Sequence, residues 1–154
     1  MEIADLLAPE AIFADMRAAA KKQALTEMAT RAGQVTGLHE RRIHEAVWER
    51  ERLGSTGLGG GIAIPHARMA TLGRLHGVFA RLANPIDFDA VDDRPVDLIF
   101  MLLAPEGAGA DHLTALARIS RALRDRALVE KLRATDNADA LYAMITAPSR
   151  SQAA

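Results

Sequence analysis

The stretch Val96-Asp97-Leu98-Ile99-Phe100-Met101-Leu102-Leu103 decides the fold class of this chain. All of its residues except Asp97 are apolar, and a short continuous apolar run is typical of a strand buried on both faces of a sheet. The sequence therefore predicts a central β-strand at 96–103. This run is far shorter than the ~20 residues that a membrane-spanning helix needs, so we expect no membrane insertion.

The segments on either side of this strand predict further strands and several helices. Apolar runs predict strands at 62–64 and about 75–83, and a short edge strand at 11–14. Apolar residues at helical spacing predict helices at 21–36, 40–53, 111–123, 127–134 and 137–146. In the third of these helices we expect Asp111 as the N-cap and an inward face made by Leu113, Leu116, Ala117 and Leu123.

Helices at both ends of the chain, with strands between them, indicate an α/β fold. We expect a single-domain sandwich in which helices flank both faces of a mixed β-sheet. The domain should occupy residues 1–147, because a chain of 154 residues is long enough for one proper core. The small, polar residues 148–154 are expected to form a flexible tail.

Composition and charge restrict the function classes. The net charge of −1 gives no electrostatic case for binding nucleic acid or an anionic membrane. Cysteine is absent, which excludes disulfides, thiolate metal sites and a cysteine nucleophile. The first residues include Glu2 and Asp5 where a signal peptide carries basic residues. We therefore expect a cytoplasmic protein.

A second stretch, Gly54-Ser55-Thr56-Gly57-Leu58-Gly59-Gly60-Gly61-Ile62-Ala63-Ile64-Pro65-His66, indicates a functional site. Its five glycines allow a ligand to approach the backbone amides closely. The short strand that follows ends at His66, and Pro65 restricts the backbone just before it. The end of a strand is where α/β sheets place ligand sites. A histidine that only packs or caps a loop is the alternative.

Common catalytic motifs are absent around His66. The chain has no His-x-x-x-His or His-Glu-x-x-His pattern, and a metal ligand set would have to recruit His112. It also has no Gly-x-Ser-x-Gly elbow, and the glycines are not followed by the Gly-Lys-Ser/Thr of a phosphate-binding loop. We therefore expect neither a metal nor a cofactor.

Two further side chains are candidates for the same site. Arg50 lies on the inward stripe of its predicted helix and directly before the glycine stretch, where its guanidinium fork suits a phosphoryl group. His112 lies at a predicted helix N-terminus, which favours anions and a neutral imidazole. The alternatives are an arginine at a helix C-terminus, which the helix dipole favours, and an exposed first-turn histidine. An imidazole nucleophile, a cation and a second imidazole together suit phosphoryl transfer onto His66 without a metal.

The stretch from Arg50 to His66 resembles the active-site signature of the IIA domains of the bacterial phosphoenolpyruvate-dependent phosphotransferase system (PTS), fructose/mannitol type. Further matching segments are Asn84-Pro85-Ile86-Asp87-Phe88-Asp89-Ala90 with Asp92, Pro95-Val96-Asp97-Leu98-Ile99-Phe100, and His112-Leu113 with Leu116-Ala117-Arg118-Ile119-Ser120. The resemblance covers about residues 3–146. A IIA chain without fused transporter domains is most similar to the nitrogen-regulatory branch of the family, enzyme IIA-Ntr.

The resemblance implies roles for individual residues. His66 is expected to receive a phosphoryl group from a phosphohistidine on an HPr-like carrier, with Arg50 and His112 beside it. Ser55 and Thr56 match the family's polar pair and, with Gly57 and Gly59, are expected to support phosphoryl binding; loop capping is their alternative role. The sequence departs from the family pattern at two positions: Gly60 stands where asparagine is common, and Ala67 stands where glycine often follows the histidine.

The implied function is a phosphohistidine carrier with a regulatory output in nitrogen metabolism, without turnover of a small molecule on its own. The expected regulatory targets are kinases, transporters or stringent-response enzymes. One alternative is a sugar-uptake component that passes the phosphoryl group to a separate IIB domain. The other is a pure protein-binding module in which Leu58 and the loop 104–110 dock a target and His66 is incidental.

Overall fold

Strand β6 (Val96–Pro105) is the centre of a six-stranded mixed sheet in the computed structural model, which describes residues 1–148. The other strands are β1 (Leu7–Met16), β2 (Gly57–Gly59), β3 (Ile62–Ala63), β4 (His66–Met69) and β5 (His76–Ile86). The helices are α1 (Lys21–Thr36), α2 (Glu40–Leu53), α3 (Ala110–Ala122), α4 (Arg126–Arg133) and α5 (Ala138–Thr146), and a 3-10 helix spans Ile3–Asp5.

The sheet order is β1-β5-β6-β3-β2, and β4 also pairs with β6. Strand β6 runs antiparallel to β5 and parallel to β3 and β4. Every residue from Leu98 to Ala104 is at most 1% exposed. The predicted central strand, buried on both faces, is thus confirmed.

Strands β3 and β4 share one register against β6 but are separated by Ile64 and Pro65. Ile62 lies opposite Leu98, and His66 lies opposite Leu102. Because proline has no backbone N–H, the ladder is interrupted here, although Pro65 still accepts a hydrogen bond from the amide of Leu102 at 2.9 Å. This interruption lies directly before His66 and shapes its surroundings.

The helices flank both faces of the sheet, which confirms the predicted single-domain sandwich. Helices α1 and α2 pack against each other, as do α4 and α5. Helix α2 contacts β4 and α3 contacts β6, so both lie beside the strands that lead to the candidate site. The apolar residues at helical spacing on α1 and α2 face the core. Most of them are buried, at Leu25, Met28, Ala29, Ala32, Ile43 and Val47, whereas Val35 and Ala46 are partly buried against the core.

Four sequence predictions need correction. The strand predicted at 62–64, expected to end at His66, stops at Ala63, and His66 instead begins β4 because Pro65 interrupts the ladder between them. Strand β1 spans ten residues rather than the four expected, because only its central residues form a recognisable apolar run and register shifts interrupt its pairing with β5. Helix α3 has Gly109 rather than Asp111 at its N-cap. Its buried residues are His112, Ala115 and Ile119.

The inward face predicted for α3 was therefore only partly right. Leu123 is buried and Leu116 is partly buried against the core, whereas Ala117 is exposed and Leu113 is 65% exposed. Successive residues point about 100° apart around a helix. With His112 turned inward, Leu113 cannot share its direction.

No helix within residues 1–148 is long and apolar enough to cross a membrane. Of the tail predicted at 148–154, only Pro148 belongs to the described residues. The rest of that prediction lies outside them.

Candidate functional site

His66 is the first residue of β4, and its half-buried ring is oriented by the main chain. Its Nδ1 lies 2.8 Å from the carbonyl oxygen of Ile64. A carbonyl can only accept a hydrogen bond, so Nδ1 carries the proton and Nε2 keeps its lone pair. The amide of Ile64 in turn donates to the carbonyl of Thr56 at 3.1 Å, which ties this turn to the glycine stretch. The fold thus presents a nucleophilic nitrogen at Nε2.

The pKa of His66 lies below its ordinary value of 6.5. Burial is the main cause, and the charge of Arg50 lowers the pKa further. The Ile64 carbonyl and the Glu51 carboxylate act in the opposite direction because they favour the imidazolium. Since the lowering effects dominate, His66 is neutral at pH 7 and its Nε2 is available.

His112 meets His66 across the gap between β4 and α3, as the sequence predicted. The two ring centroids lie 5.6 Å apart with the planes at 71°, an edge-to-face arrangement. His112 is only 5% exposed, although an exposed first-turn histidine was the alternative. Its pKa is lowered first by burial and then by His66 and Arg68. Both imidazoles are therefore neutral near pH 7.

Arg50 lies in the last turn of α2, partly buried, and its Nη1 donates to the carbonyl of Gly54 at 2.9 Å. This contact fits the reading of a cation at a helix C-terminus. The same side chain also acts electrostatically on His66, so its charge reaches the imidazole. The two readings of Arg50 are compatible.

Three consecutive glycines give the loop between β2 and β3 a left-handed backbone. Gly59, Gly60 and Gly61 have φ of +98°, +67° and +83°, which side chains rarely adopt. The amide of Gly60 donates to Asp92 at 2.9 Å, and its carbonyl accepts from Arg133 Nη2 at 2.6 Å. The loop is thus held from two sides of the molecule.

The two departures from the family pattern fit their positions. Nothing among the described residues lies within 4 Å of a Cβ added at Gly60, so an asparagine would find space there. Ala67 is buried at 7% exposure and lies opposite Leu103 in the β4–β6 ladder, so its methyl group packs into the core.

The remaining predicted residues of this stretch make contacts within the protein. Ser55 Oγ donates to the carbonyl of Phe88 at 2.7 Å and accepts from the amide of Gly57 at 3.0 Å. A Cβ at Gly57 would lie 2.7 Å from that of Ala90, and one at Gly59 would lie 3.2 Å from an Asp92 oxygen. These contacts hold the glycine stretch against the segment 88–92. A role in phosphoryl binding for these residues stays a prediction, since it requires them to exchange partners.

Thr56 is hydrogen-bonded to Glu51, which belongs to a buried ion pair that the sequence analysis missed. Glu51 accepts from the amide and the hydroxyl of Thr56, both at 2.8 Å, and pairs with Lys21 at 3.1 Å. The Lys21 ammonium also lies 4.7 Å from the centre of the Phe88 ring. Glu51 falls on the same helix face as Ile43 and Val47, so an acid on an apolar stripe was the signal that could have found it.

Arg68 is the second residue that the sequence analysis missed. It lies on β4 two positions after His66, and its Nε donates to His112 Nδ1 at 3.2 Å. Side chains two apart on a strand point to the same face, so the position of His66 was itself the available signal.

Comparisons with known proteins agree with this geometry. Residues 5–147 match the family described as "Phosphoenolpyruvate-dependent sugar phosphotransferase system, EIIA 2". A nitrogen regulatory protein of Bradyrhizobium diazoefficiens is 53% identical over 148 residues, covering 96% of this chain and 97% of that one. A nitrogen regulatory protein of Klebsiella oxytoca is 38% identical, covering 95% and 91%. The crystal structure of nitrogen regulatory protein IIA-Ntr from Neisseria meningitidis has a TM-score of 0.89 and 36% identity, covering 94% and 99%.

Proposed function

Because this chain belongs to the EIIA 2 family of the phosphoenolpyruvate-dependent sugar phosphotransferase system, we propose that it accepts a phosphoryl group on Nε2 of His66. The donor is a phosphohistidine on an HPr-like carrier protein. The observation that carries the proposal is the Nδ1 contact of His66 with the Ile64 carbonyl, which leaves Nε2 as the free nucleophile. The phosphoryl source of the family, phosphoenolpyruvate, is a cytosolic metabolite, so we place this transfer in the cytoplasm.

The transfer requires only a change of partner at phosphorus. The lone pair of His66 Nε2 forms a new P–N bond while the donor's P–N bond breaks, and that electron pair returns to the donor imidazole. The donor ring starts as a phosphorylated imidazolium with a proton on its other nitrogen and leaves as a neutral imidazole. Phosphorylated His66 becomes the corresponding imidazolium, whose Nδ1–H is held by the Ile64 carbonyl. Positioning and electrostatic stabilisation are the protein's main contributions to such a step.

Arg50 and His112 are proposed to stabilise the charge on the transferring oxygens. Arg50 supplies a cation whose field reaches His66. The Nε2 atom of His112 is buried and has no hydrogen-bond partner among the residues that the structure describes, so an arriving oxygen can become that partner. Neither role requires a metal.

Incubation with a phosphorylated HPr-like carrier tests the proposal. The wild-type protein should gain a phosphoryl group that is stable to base and labile to acid, whereas His66→Ala should gain none. His39→Asn is a matched control, because it removes another imidazole and keeps a residue suited to the N-cap of α2. Labelling of His66→Ala at the wild-type rate would refute the proposal.

We further propose that phosphorylation of His66 controls binding to regulatory target proteins. The group adds up to two negative charges beside Arg50. Leu113, the residue after His112, is 65% exposed and available to a target. The relatives known as nitrogen regulatory proteins support this branch. A target whose affinity is equal for the two forms would exclude control through that target.

Sugar uptake is a second candidate, because the family description itself names a sugar system. In that case the phosphorylated protein would pass its group to a fructose- or mannitol-type IIB domain. Mixing the labelled protein with such domains separates the two branches. Fast transfer favours uptake, and retention of the label on His66 favours regulation.

A further inference from the structure

A single hydrogen bond determines which nitrogen of His112 carries its proton. Arg68 donates from Nε to Nδ1 of His112 at 3.2 Å. An arginine cannot accept a hydrogen bond, so Nδ1 of His112 must be the unprotonated nitrogen. The proton of the neutral ring therefore lies on Nε2.

That Nε2–H group is buried and has no hydrogen-bond partner within residues 1–148. The ring that holds it is 5% exposed and lies edge-to-face with His66, at 5.6 Å between centroids. Buried polar groups without partners are rare in proteins, and they concentrate at sites where a ligand supplies the missing contact. The neighbouring reactive group here is the free Nε2 of His66.

We propose that Arg68 is a positioning residue that keeps His112 in its Nε2–H form, so that His112 donates a hydrogen bond to the phosphoryl group on His66. This inference rests on the proposed function and extends it to a residue outside the family signature that ends at His66. The opposite tautomer would turn a lone pair toward the phosphoryl oxygens and repel them. Arg68 therefore acts through His112.

The proton positions of the two histidines are set in complementary ways, one by the main chain just before β4 and one by a side chain of β4. His66 has its proton on Nδ1 because the Ile64 carbonyl accepts there, and His112 has its proton on Nε2 because Arg68 donates to Nδ1. The result is one nucleophilic nitrogen and one buried N–H donor on two rings in edge-to-face contact. A nucleophile and a donor are the pair that acceptance of a phosphoryl group needs.

Two substitutions test the hydrogen bond of Arg68. A lysine ammonium, like a guanidinium, donates hydrogen bonds and cannot accept them, so Arg68→Lys keeps a charged donor. Arg68→Met keeps an unbranched side chain but has no donor. Nitrogen NMR of the His112 ring reports the tautomer without any phosphorylation reaction.

We expect His112 to be an Nε2–H tautomer in the wild-type protein and in Arg68→Lys, and a mixture of tautomers in Arg68→Met. With a saturating phosphorylated carrier, Arg68→Met should accept the phosphoryl group roughly tenfold more slowly, the effect of losing about one hydrogen bond to a charged group. Arg68→Lys should recover a large part of this rate. Arg124→Met is the control, since Arg124 is an exposed arginine beyond the far end of α3.

Several outcomes would overturn the inference. One is an unchanged tautomer in Arg68→Met. A second is equal slowing in the lysine and methionine variants although the lysine variant keeps the Nε2–H tautomer, which would show that the tautomer does not set the rate. A third is a change confined to the apparent affinity for the carrier and its salt dependence, which would make Arg68 a docking residue. A wild-type protein that takes up no phosphoryl group, despite the expected tautomers, would instead refute the proposed function and leave the hydrogen-bond geometry intact.

Discussion

Two loops border the histidine pair, and they are held in very different ways. The glycine loop at 55–61 is held by side chains from distant parts of the chain: Glu51 binds Thr56, Asp92 binds Gly60, and Arg133 binds Gly60. The loop at 106–109, which leads into α3, is closed by backbone turns, with the amide of Ala108 donating to Pro105 at 3.0 Å. Among the described residues nothing lies within 4 Å of a Cβ added at Gly107 or Gly109.

The difference assigns separate tasks to the two sides of the site. The glycine loop leads through β3 to the turn at Ile64 and Pro65, and the amide of Ile64 donates to the carbonyl of Thr56, so restraint of the loop helps to fix the position of the accepting nitrogen. The loop before α3 has room to change shape when another protein approaches. The first loop is thus suited to chemistry, which tolerates little displacement, and the second to docking.

Removing the carboxylate beneath the glycine loop should have the largest effect. Glu51→Gln leaves Lys21 without its buried partner, and loss of one member of a buried ion pair costs about 3 kcal/mol of unfolding free energy. Urea denaturation measures this loss. The double variant Lys21→Met/Glu51→Gln should be less destabilised than the sum of its single changes, because no unpaired charge then remains. Strict additivity would show that the pair does not hold the loop.

A methyl group at Gly61 should have the next largest effect. In Gly61→Ala the new Cβ would collide with the Arg133 guanidinium and adopt φ near +83°, so we expect a loss of about 2 kcal/mol and slower phosphorylation. Gly60→Asn is the matched control. It has φ of +67° with open space around it, and asparagine tolerates that conformation, so its unfolding free energy should change by less than about 0.5 kcal/mol. Equal losses in both variants would argue against the Arg133 contact as a restraint.

Acidification should lower the unfolding free energy through His66 and His112, which lie between the two loops. The pKa of His66 and of His112 is lowered mainly by burial, so each binds its proton more readily when unfolded. The stability that depends on their neutral forms is therefore complete above pH 6.5 and is lost as pH falls toward their folded-state pKa values. Urea denaturation at pH 7.5 and at lower pH should show this decrease, and His112→Gln should reduce it. An identical pH dependence in His112→Gln would exclude His112 as a contributor.

The smallest change is expected in the loop before α3. Gly107→Ala places a methyl group in open space without a left-handed φ, so it should stabilise the protein by up to about 1 kcal/mol by restricting the unfolded chain. Phosphorylation at a saturating carrier concentration should stay within about twofold of wild type, because this loop does not hold His66. If Gly107→Ala destabilised the protein as much as Gly61→Ala, the two loops would not differ in how tightly they are held.

Local sequence patterns were sufficient for the central strand, for α1 and α2, and for the meeting of His66 with His112. They failed at the start of α3, where a polar residue is buried in place of an apolar one. Leu113 was predicted to face inward, but His112 is the buried residue. They also failed for contacts between distant residues. Lys21 and Glu51 belong to different helices, and Arg133 lies 73 positions from Gly60. Such pairs arise only from the packing of whole elements, on which local periodicity carries no information.

The break between β3 and β4 affects which parts of this site mutation can change. The group that orients His66 is a main-chain carbonyl, so it is present whatever amino acid a gene encodes at position 64. The group that orients His112 is the side chain of Arg68, which a single codon change removes. Mutation at position 68 can therefore change the tautomer of His112, the hydrogen-bond donor, while His66, the nucleophile, keeps its tautomer. The orientation of His66 is independent of side-chain identity, whereas that of His112 can be changed by selection.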